Sequence, residues 1–459
     1  MNTLITISIV AIIVLYLGLY KAKNLLLPVT LSGLALSVVF AALDWGKGAQ
    51  PIYSGMMLFD SFSIAFSILC IVSTMLILII SREYFEKISE HVAEYYAIIL
   101  FALAGIVVMV SFNNLTMLFI GIEIMSVSLY ILAGIRKNDV GSNEAALKYF
   151  LMGAFSTGFL LFGITLIYGV TASFDLGIIK EYVIANPMNM SPLLYGGIIL
   201  LIIGLCFKIG AAPFHFWTPD VYEGAPILIT SFMSTVVKTA AFAAFLRLFL
   251  MAFESLHDFW MQPLLIITIL TLAVGNVTAV FQTSFKRMLA YSSISHAGYL
   301  LFALVSLNSN SMNAVFVYTA AYSIATISAF AVLILVKRQT GSENFDAFNG
   351  LYKTNPFLAF ALTVSMLSLA GIPLTAGFIG KFLMFSNALS EYHVWLVTIA
   401  VINAIVGVFY YLKVVVAMYF KDSERTLILP STYFRFVLGI AVLATIILGV
   451  YPDLISGLI

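Results

Sequence analysis

The stretch LLYGGIILLIIGLCFKIGAAPFHFW, Leu193–Trp217, reads as a membrane crossing until it meets Lys208, and five residues later Pro213 stops the helix. A lysine near the centre of a bilayer costs roughly 2.5–3.5 kcal/mol. Lys238, Lys381 and Lys413 lie in similarly apolar surroundings, as does Glu123. The four lysines together cost on the order of 10–14 kcal/mol, a penalty that accompanies ion or proton handling. Pro213 removes the amide that would bond the carbonyl of Ile209, and Pro373 in LAGIPLTAGFIGKF (Leu369–Phe382) does the same to Leu369. Such breaks are tolerated in a membrane where the backbone is buried in protein or lines a hydrated cavity. Each break lies near a lysine.

Composition extends this reading to the whole chain. It is 62% hydrophobic and 9% charged, against roughly 25% charged in a soluble domain. Its mean hydropathy is +1.08. With about 20 apolar residues per crossing, the sequence predicts an all-α, polytopic membrane protein of about 14 transmembrane helices. They centre near 2–20, 26–43, 56–80, 94–110, 113–134, 145–169, 193–212, 226–253, 262–282, 288–306, 313–336, 356–388, 394–420 and 434–456. The opening MNTLITISIVAIIVLYLGLY has no basic segment or small-residue cleavage site, so it reads as the first membrane helix. A net charge of +1 argues against a nucleic-acid partner, and Cys70 and Cys206 have no metal-type spacing, so no metal site is expected.

Charge placement gives an orientation. Fifteen Lys and Arg residues, among them Lys87, Arg136, Lys137, Lys337, Arg338 and Arg425, fall in or beside loops after odd-numbered spans, against Lys47 and Lys180 after even ones. The basic loops stay in the cytoplasm. Both termini are therefore expected on the outer, periplasmic side.

The buried charges also recur. Lys208 and Lys381, Lys238 and Lys413, and Glu123 and His296 are three pairs separated by nearly one common offset. An offset of five helices reverses direction in the membrane, so two inverted five-helix repeats are implied, spans 4–8 and 9–13, with helices 7 and 12 broken. The single transmembrane domain, 1–459, then divides into N-terminal helices 1–93, a first repeat 94–253, a second 262–420 and a last helix 434–456.

Four segments carry a resemblance: KIGAAPFHFWTPDVYEGAP (Lys208–Pro226), STVVKTAAF (Ser234–Phe242), YSSISHAGY (Tyr291–Tyr299) and AGIPLTAGFIGKF (Ala370–Phe382). They resemble the antiporter-like membrane subunits of bacterial NADH:quinone oxidoreductases, respiratory complex I. Within that family the N-type chains match best, because no long lateral helix follows span 14 and the twelfth helix carries Lys381 where an M-type chain carries Glu.

The resemblance implies a proton relay of Glu123, Lys208, Lys238, His296 and Lys381, with Glu123 paired to Lys208. His215 and Lys413 are further candidates, although His215 could serve the helix break and Lys413 could snorkel to the interface. Asp60 reads as a helix cap, Asp220 and Glu223 as turn residues, and Glu144 with Lys148 as an exposed pair. The chain carries no dinucleotide loop and no cluster-binding cysteines. NADH, FMN, iron–sulfur clusters and quinone are thus assigned to partner subunits, reached through the other membrane-arm chains. The expected place is the bacterial inner membrane. Two alternatives share some of these features: a subunit of a cation/proton antiporter or membrane-bound hydrogenase complex, and a stand-alone secondary transporter.

Overall fold

A computed structural model describes residues 1–85, 92–186, 190–391, 393–422 and 429–459. Lys87 and Arg425 lie outside the described residues. The N-terminal third holds α1 (Asn2–Leu19), α2 (Lys23–Asp44), a hairpin of β1 (Gln50–Ile52) and β2 (Met57–Phe59), α3 (Ser61–Phe85), α4 (Val92–Ser111) and α5 (Leu115–Ala133). Then come α6 (Val140–Thr171), α7 (Leu176–Ala185), α8 (Pro192–Ile209), α9 (Trp217–Gly224), α10 (Ile227–Phe232) and α11 (Lys238–Ala252). The C-terminal half comprises α12 (His257–Val280), α13 (Phe285–Val305), α14 (Ser311–Thr340), the single turn α15 (Leu351–Thr354), α16 (Pro356–Ala370), α17 (Ala376–Ser390), α18 (Val394–Phe420) and α19 (Thr432–Val450).

Among the described residues thirteen helices are long and apolar enough to cross a membrane, counting Ile227–Ala252 as one. The fourteenth crossing is α16 with α17, two 15-residue halves joined at the Pro373 break. The expected third span starts too early. Residues 57–59 form an antiparallel strand with 50–52, and the helix starts at Ser61. Inside hydrocarbon a helix satisfies its own backbone, and here side chains complete several ends: Asn114 for α5, Asp139 for α6, Asp175 for α7 and Ser284 for α13.

The repeat is visible in backbone detail. Asn114 bridges Asp175, with the amides of Leu115 and Leu176 bonding the carbonyls of Phe174 and Asn113. Ser284 bridges Asn344 in the same pattern, with the amides of Phe285 and Phe345 bonding the carbonyls of Glu343 and Thr283. One bridge follows span 4 and the other span 9, so they sit at opposite faces. The α4–α5 pair and the α12–α13 pair also cross at matching glycines. A Cβ on Gly105 would lie 2.7 Å from the amide nitrogen of Met125, and one on Gly275 would lie 2.5 Å from that of Ser295.

This register corrects the offsets read from the lysines. Both broken helices end in a left-handed glycine, Gly210 (φ 71°) and Gly371 (φ 84°), closed by the same pair of bonds: Ala211 N–H to Cys206 C=O with Gly210 N–H to Phe207 C=O, and Ile372 to Leu367 with Gly371 to Ser368. These glycines lie closer together along the chain than Lys208 and Lys381 do. Lys208 therefore precedes its break, whereas Lys381 follows its own. The two are not equivalent positions.

The helices α4, α10–α11, α13 and α14 form the buried centre, and α1, α18 and α19 lie at the periphery. The buried helix α13 is also rich in polar side chains, burying Ser292, Ser293, Ser295 and His296.

The glycine crossings are testable. Gly275→Ala places a methyl group against backbone and should lower stability by about 1–3 kcal/mol, as overpacking does. Gly158→Ala meets nothing within 4 Å and should leave the thermal midpoint of the purified protein unchanged. Equal midpoints for both variants would show that the α12–α13 crossing is loose.

Candidate functional site

The sequence candidates divide into a buried group and two outliers. Lys208, at the end of α8, is buried and donates from Nζ to Ser126 Oγ of α5 at 2.9 Å. The expected direct pair with Glu123 is absent from this geometry. Glu123 lies one turn before Ser126, and its Oε1 is buried with no hydrogen-bond partner among the described residues.

Lys238 opens α11 directly after a π-helical turn, Met233–Val237. Such a turn re-aims the side chains that follow it. Its Nζ reaches Ser293 of α13 twice, at 2.6 Å from the carbonyl oxygen and 2.5 Å from Oγ.

His296 sits one turn further along α13, buried, with both ring nitrogens engaged: Nδ1 is 2.7 Å from Tyr318 Oη and Nε2 is 3.1 Å from Tyr411 Oη. Tyr411 in turn meets Ser292 Oγ at 2.5 Å. This links the histidine to the serine next to the partner of Lys238.

Lys381, on α17, folds back over its helix break. Its Nζ donates to the carbonyls of Leu369 (3.0 Å) and Ala370 (2.8 Å) and lies 4.8 Å from the Tyr299 ring centre. The orphan carbonyl predicted from Pro373 is thus met by the lysine itself. Gly371 makes this possible, because a Cβ there would lie 2.8 Å from Lys381 Cδ. The Pro213 break is closed differently. Trp217 Nε1 donates to the Phe207 carbonyl (3.0 Å) and the Ala212 amide donates to Thr271 Oγ1 (2.9 Å).

His215 and Lys413 stand apart from this group. His215 is buried beside the exposed Phe216, stacked at 4.5 Å, and its Nδ1 has no partner among the described residues. Lys413 is exposed, with Nζ 3.4 Å from the Gln282 carbonyl and 4.6 Å above Phe345. That is the interface geometry of a snorkelling lysine.

Two ionic centres go beyond the sequence reading, which contains only the Asp60 cap and the Glu144–Lys148 pair. Arg247 of α11 is buried and forks onto Asp60, 3.1 Å to each carboxylate oxygen, while Nε donates to the Phe112 carbonyl at 2.8 Å. Asp60 also caps α3 through the Ser63 amide, so the cap expected from sequence has a second role.

At the opposite end Lys286, counted from sequence as a loop base, is buried and donates to the carbonyls of Ala225 (2.6 Å) and Glu223 (2.9 Å). Nearby Lys148 bridges Glu144 (2.7 Å) and Asp220 (2.8 Å), and Arg287 holds Asp220 (3.1 Å) and Glu223. Burial pushes the Asp220 carboxyl up, but Lys148 and Arg287 outweigh it and hold it below the usual carboxylate range. Its contribution is present above about pH 4 and is lost as the pH falls through that lowered value.

Among the described residues no three His, Cys, Asp or Glu side chains group as a metal site.

Residues 112–407 match the family described as "NADH:quinone oxidoreductase/Mrp antiporter, TM". The chain is 41% identical to NADH-quinone oxidoreductase subunit N of Cytophaga hutchinsonii, covering 99% of this chain and 98% of that one. It superposes with a TM-score of 0.86, at 34% identity over 99% and 98% of the two chains, on a chain of respiratory complex I from Thermus thermophilus solved with bound aureothin. A chain of the Mrp complex from Dietzia sp. DQ12-45-1b shares the fold, with a TM-score of 0.87 at 18% identity over 99% and 95%.

The Asp60–Arg247 fork can be tested by a mutant cycle. Arg247→Ala leaves the part-exposed Asp60 carboxylate and the Phe112 carbonyl without their donor and should cost about 1–3 kcal/mol. Asp60→Asn with Arg247→Met removes both charges and should recover much of that in thermal denaturation. A double variant no more stable than Arg247→Ala would show that the unpaired carboxylate is not what the single variant suffers from.

Proposed function

The chain belongs to the NADH:quinone oxidoreductase/Mrp antiporter family, as a membrane subunit of the N type, and from that premise we propose how it carries protons. Protons pass along Glu123, Lys208, Lys238, His296 and Lys381, while partner subunits carry the flavin, the iron–sulfur clusters and the quinone chemistry.

The observation that carries this reading is the nature of the lysine partners. Lys208, Lys238 and Lys381 each donate to hydroxyl or carbonyl oxygens, with no carboxylate in ion-pair contact among the described residues. A lysine so held can release its proton and leave only neutral groups behind. A buried ion pair would strand a charge instead.

The hydroxyls supply the connections. Ser293 at Lys238 adjoins Ser292, which meets Tyr411, which meets His296. Beyond His296, a cavity of about 10 Å³ is lined by Tyr318, Ser368 and Leu369 among others. That is close to the space for one water. A water there would lie between His296 and Leu369, the residue whose carbonyl accepts from Lys381.

Glu123 is the element whose Oε1 has no hydrogen-bond partner among the described residues. Its free oxygen and the neighbouring Lys208 make a switch: moving the lysine from Ser126 to Glu123 forms an ion pair, and the return releases it. Moving one proton against 100 mV needs about 2.3 kcal/mol, which the redox reaction in the partner chains supplies. The basic loops face the cytoplasm of a bacterial cell and both termini face outward.

The test is NADH-driven proton uptake by inverted vesicles, normalised to assembled complex. Lys238→Met and Lys381→Met should abolish most uptake while improving insertion, since each removes a cost of about 2.5–3.5 kcal/mol. Lys→Arg at either position should fail nearly as badly, because arginine scarcely releases its proton. Full pumping by both the Met and Arg variants would rule out that lysine as a carrier. Orientation is checked by labelling sealed cells from outside: Lys47→Cys should react and Asn138→Cys should not.

A further inference from the structure

A cleft of about 1100 Å³ opens at the end of the molecule that carries the odd-numbered loops. Arg136 and Lys137, just after α5, and Lys337 and Arg338, at the end of α14, supply its basic lining, against Glu94 and Asp139. Basic residues are in excess. Its remaining wall is apolar: Ile98 of α4, Ile131 of α5, Ile334 of α14 and Phe434 of α19.

We propose that this cleft binds one anionic phospholipid of the adjoining leaflet, with its phosphate at the basic rim and its acyl chains along the isoleucines. Three observations fit that occupant. The cleft reaches the size of a ligand pocket, roughly 300–1,000 Å³. Its bases stand at helix ends, where a headgroup lies, and basic pockets between membrane helices on this side are suited to anionic headgroups. Its apolar wall gives a soluble phosphate nothing to bind.

The rim is already partly organised. Arg136 donates to Tyr84 Oη at 2.8 Å and lies 3.7 Å from Asp139, so its guanidinium is held in place. Tyr84 Oη also accepts the Ile227 amide at 2.9 Å, which anchors the same ring to the start of α10. Lys337 is tied to Glu343 at 2.5 Å. Lys137 is exposed, and its ammonium makes no hydrogen bond or ion pair among the described residues. A phosphate held by the fixed Arg136 would give Lys137 a partner.

The experiment uses the intact complex, reconstituted in phosphatidylcholine vesicles with a trace of phosphatidylglycerol carrying a diazirine on its acyl chain. Photolabelling should map to peptides of α4, α5 or α19. Unlabelled phosphatidylglycerol should compete; added phosphatidylcholine and inorganic phosphate should not. In Lys137→Gln/Arg338→Gln the labelling per assembled complex should fall about thirtyfold, and Lys137→Arg/Arg338→Lys should keep it. If the double variant fails to assemble, the exposed Lys137→Gln alone should lower labelling about fivefold. Undiminished labelling in the charge-removed variants, equal competition by phosphatidylcholine or phosphate, or a neighbouring subunit's peptide cross-linked into the cleft would each overturn the proposal.

Discussion

In hydrocarbon an ammonium group has no solvent to return to, so the protein must supply the oxygens that hold it. This chain meets that demand in two ways. At its ends it uses mostly carboxylates, Asp60 on Arg247 and Asp220 with Glu223 on Lys148 and Arg287, while Lys286 takes the carbonyls of Glu223 and Ala225 with Glu343 3.9 Å away. In the middle it uses neutral oxygens, from Ser126, Ser293, Leu369 and Ala370. The carboxylate sites fix structure, because separating such a pair leaves an uncompensated charge. On the function proposed above, the neutral sites leave the lysine proton able to move.

The architecture follows from where those oxygens can come from. Helix interiors offer few spare acceptors, so the chain breaks one helix after Ala370 and lets Lys381 occupy the vacated carbonyls. Before Lys238 it inserts a π-turn, which aims the lysine at Ser293. Glycines at 105 and 275 let the backbones of α4 and α5, and of α12 and α13, come into close contact. The chain matches the N-type family in sequence and in fold.

Much of this was legible in the sequence, because an apolar run makes a charge conspicuous. The spans, both helix breaks, the orphan carbonyl of Leu369 and the buried Lys208, Lys238 and Lys381 could all be read there. Their partners could not, since serine hydroxyls and backbone carbonyls occur throughout and only packing selects among them. Equal spacing of lysines also misled. The bridges at Asn114 and Ser284 stand further apart along the chain than the break glycines Gly210 and Gly371, because the connecting segments differ in length, so no single offset relates the two halves. Lys286 looked like a loop base because its burial depends on α9 folding over it. The hairpin at 50–59 was missed because three-residue strands carry too little periodicity to register.

The hydroxyl connections through His296 are the part of this arrangement that a proton route needs and a scaffold does not. The most direct measurement is the number of protons taken up per NADH oxidised by vesicles carrying Tyr318→Phe together with Tyr411→Phe, which removes both phenols from the imidazole and with them the Tyr411–Ser292 link. The expected result is a complex that assembles and oxidises NADH but moves fewer protons for each turnover. An unchanged ratio would contradict a path through His296.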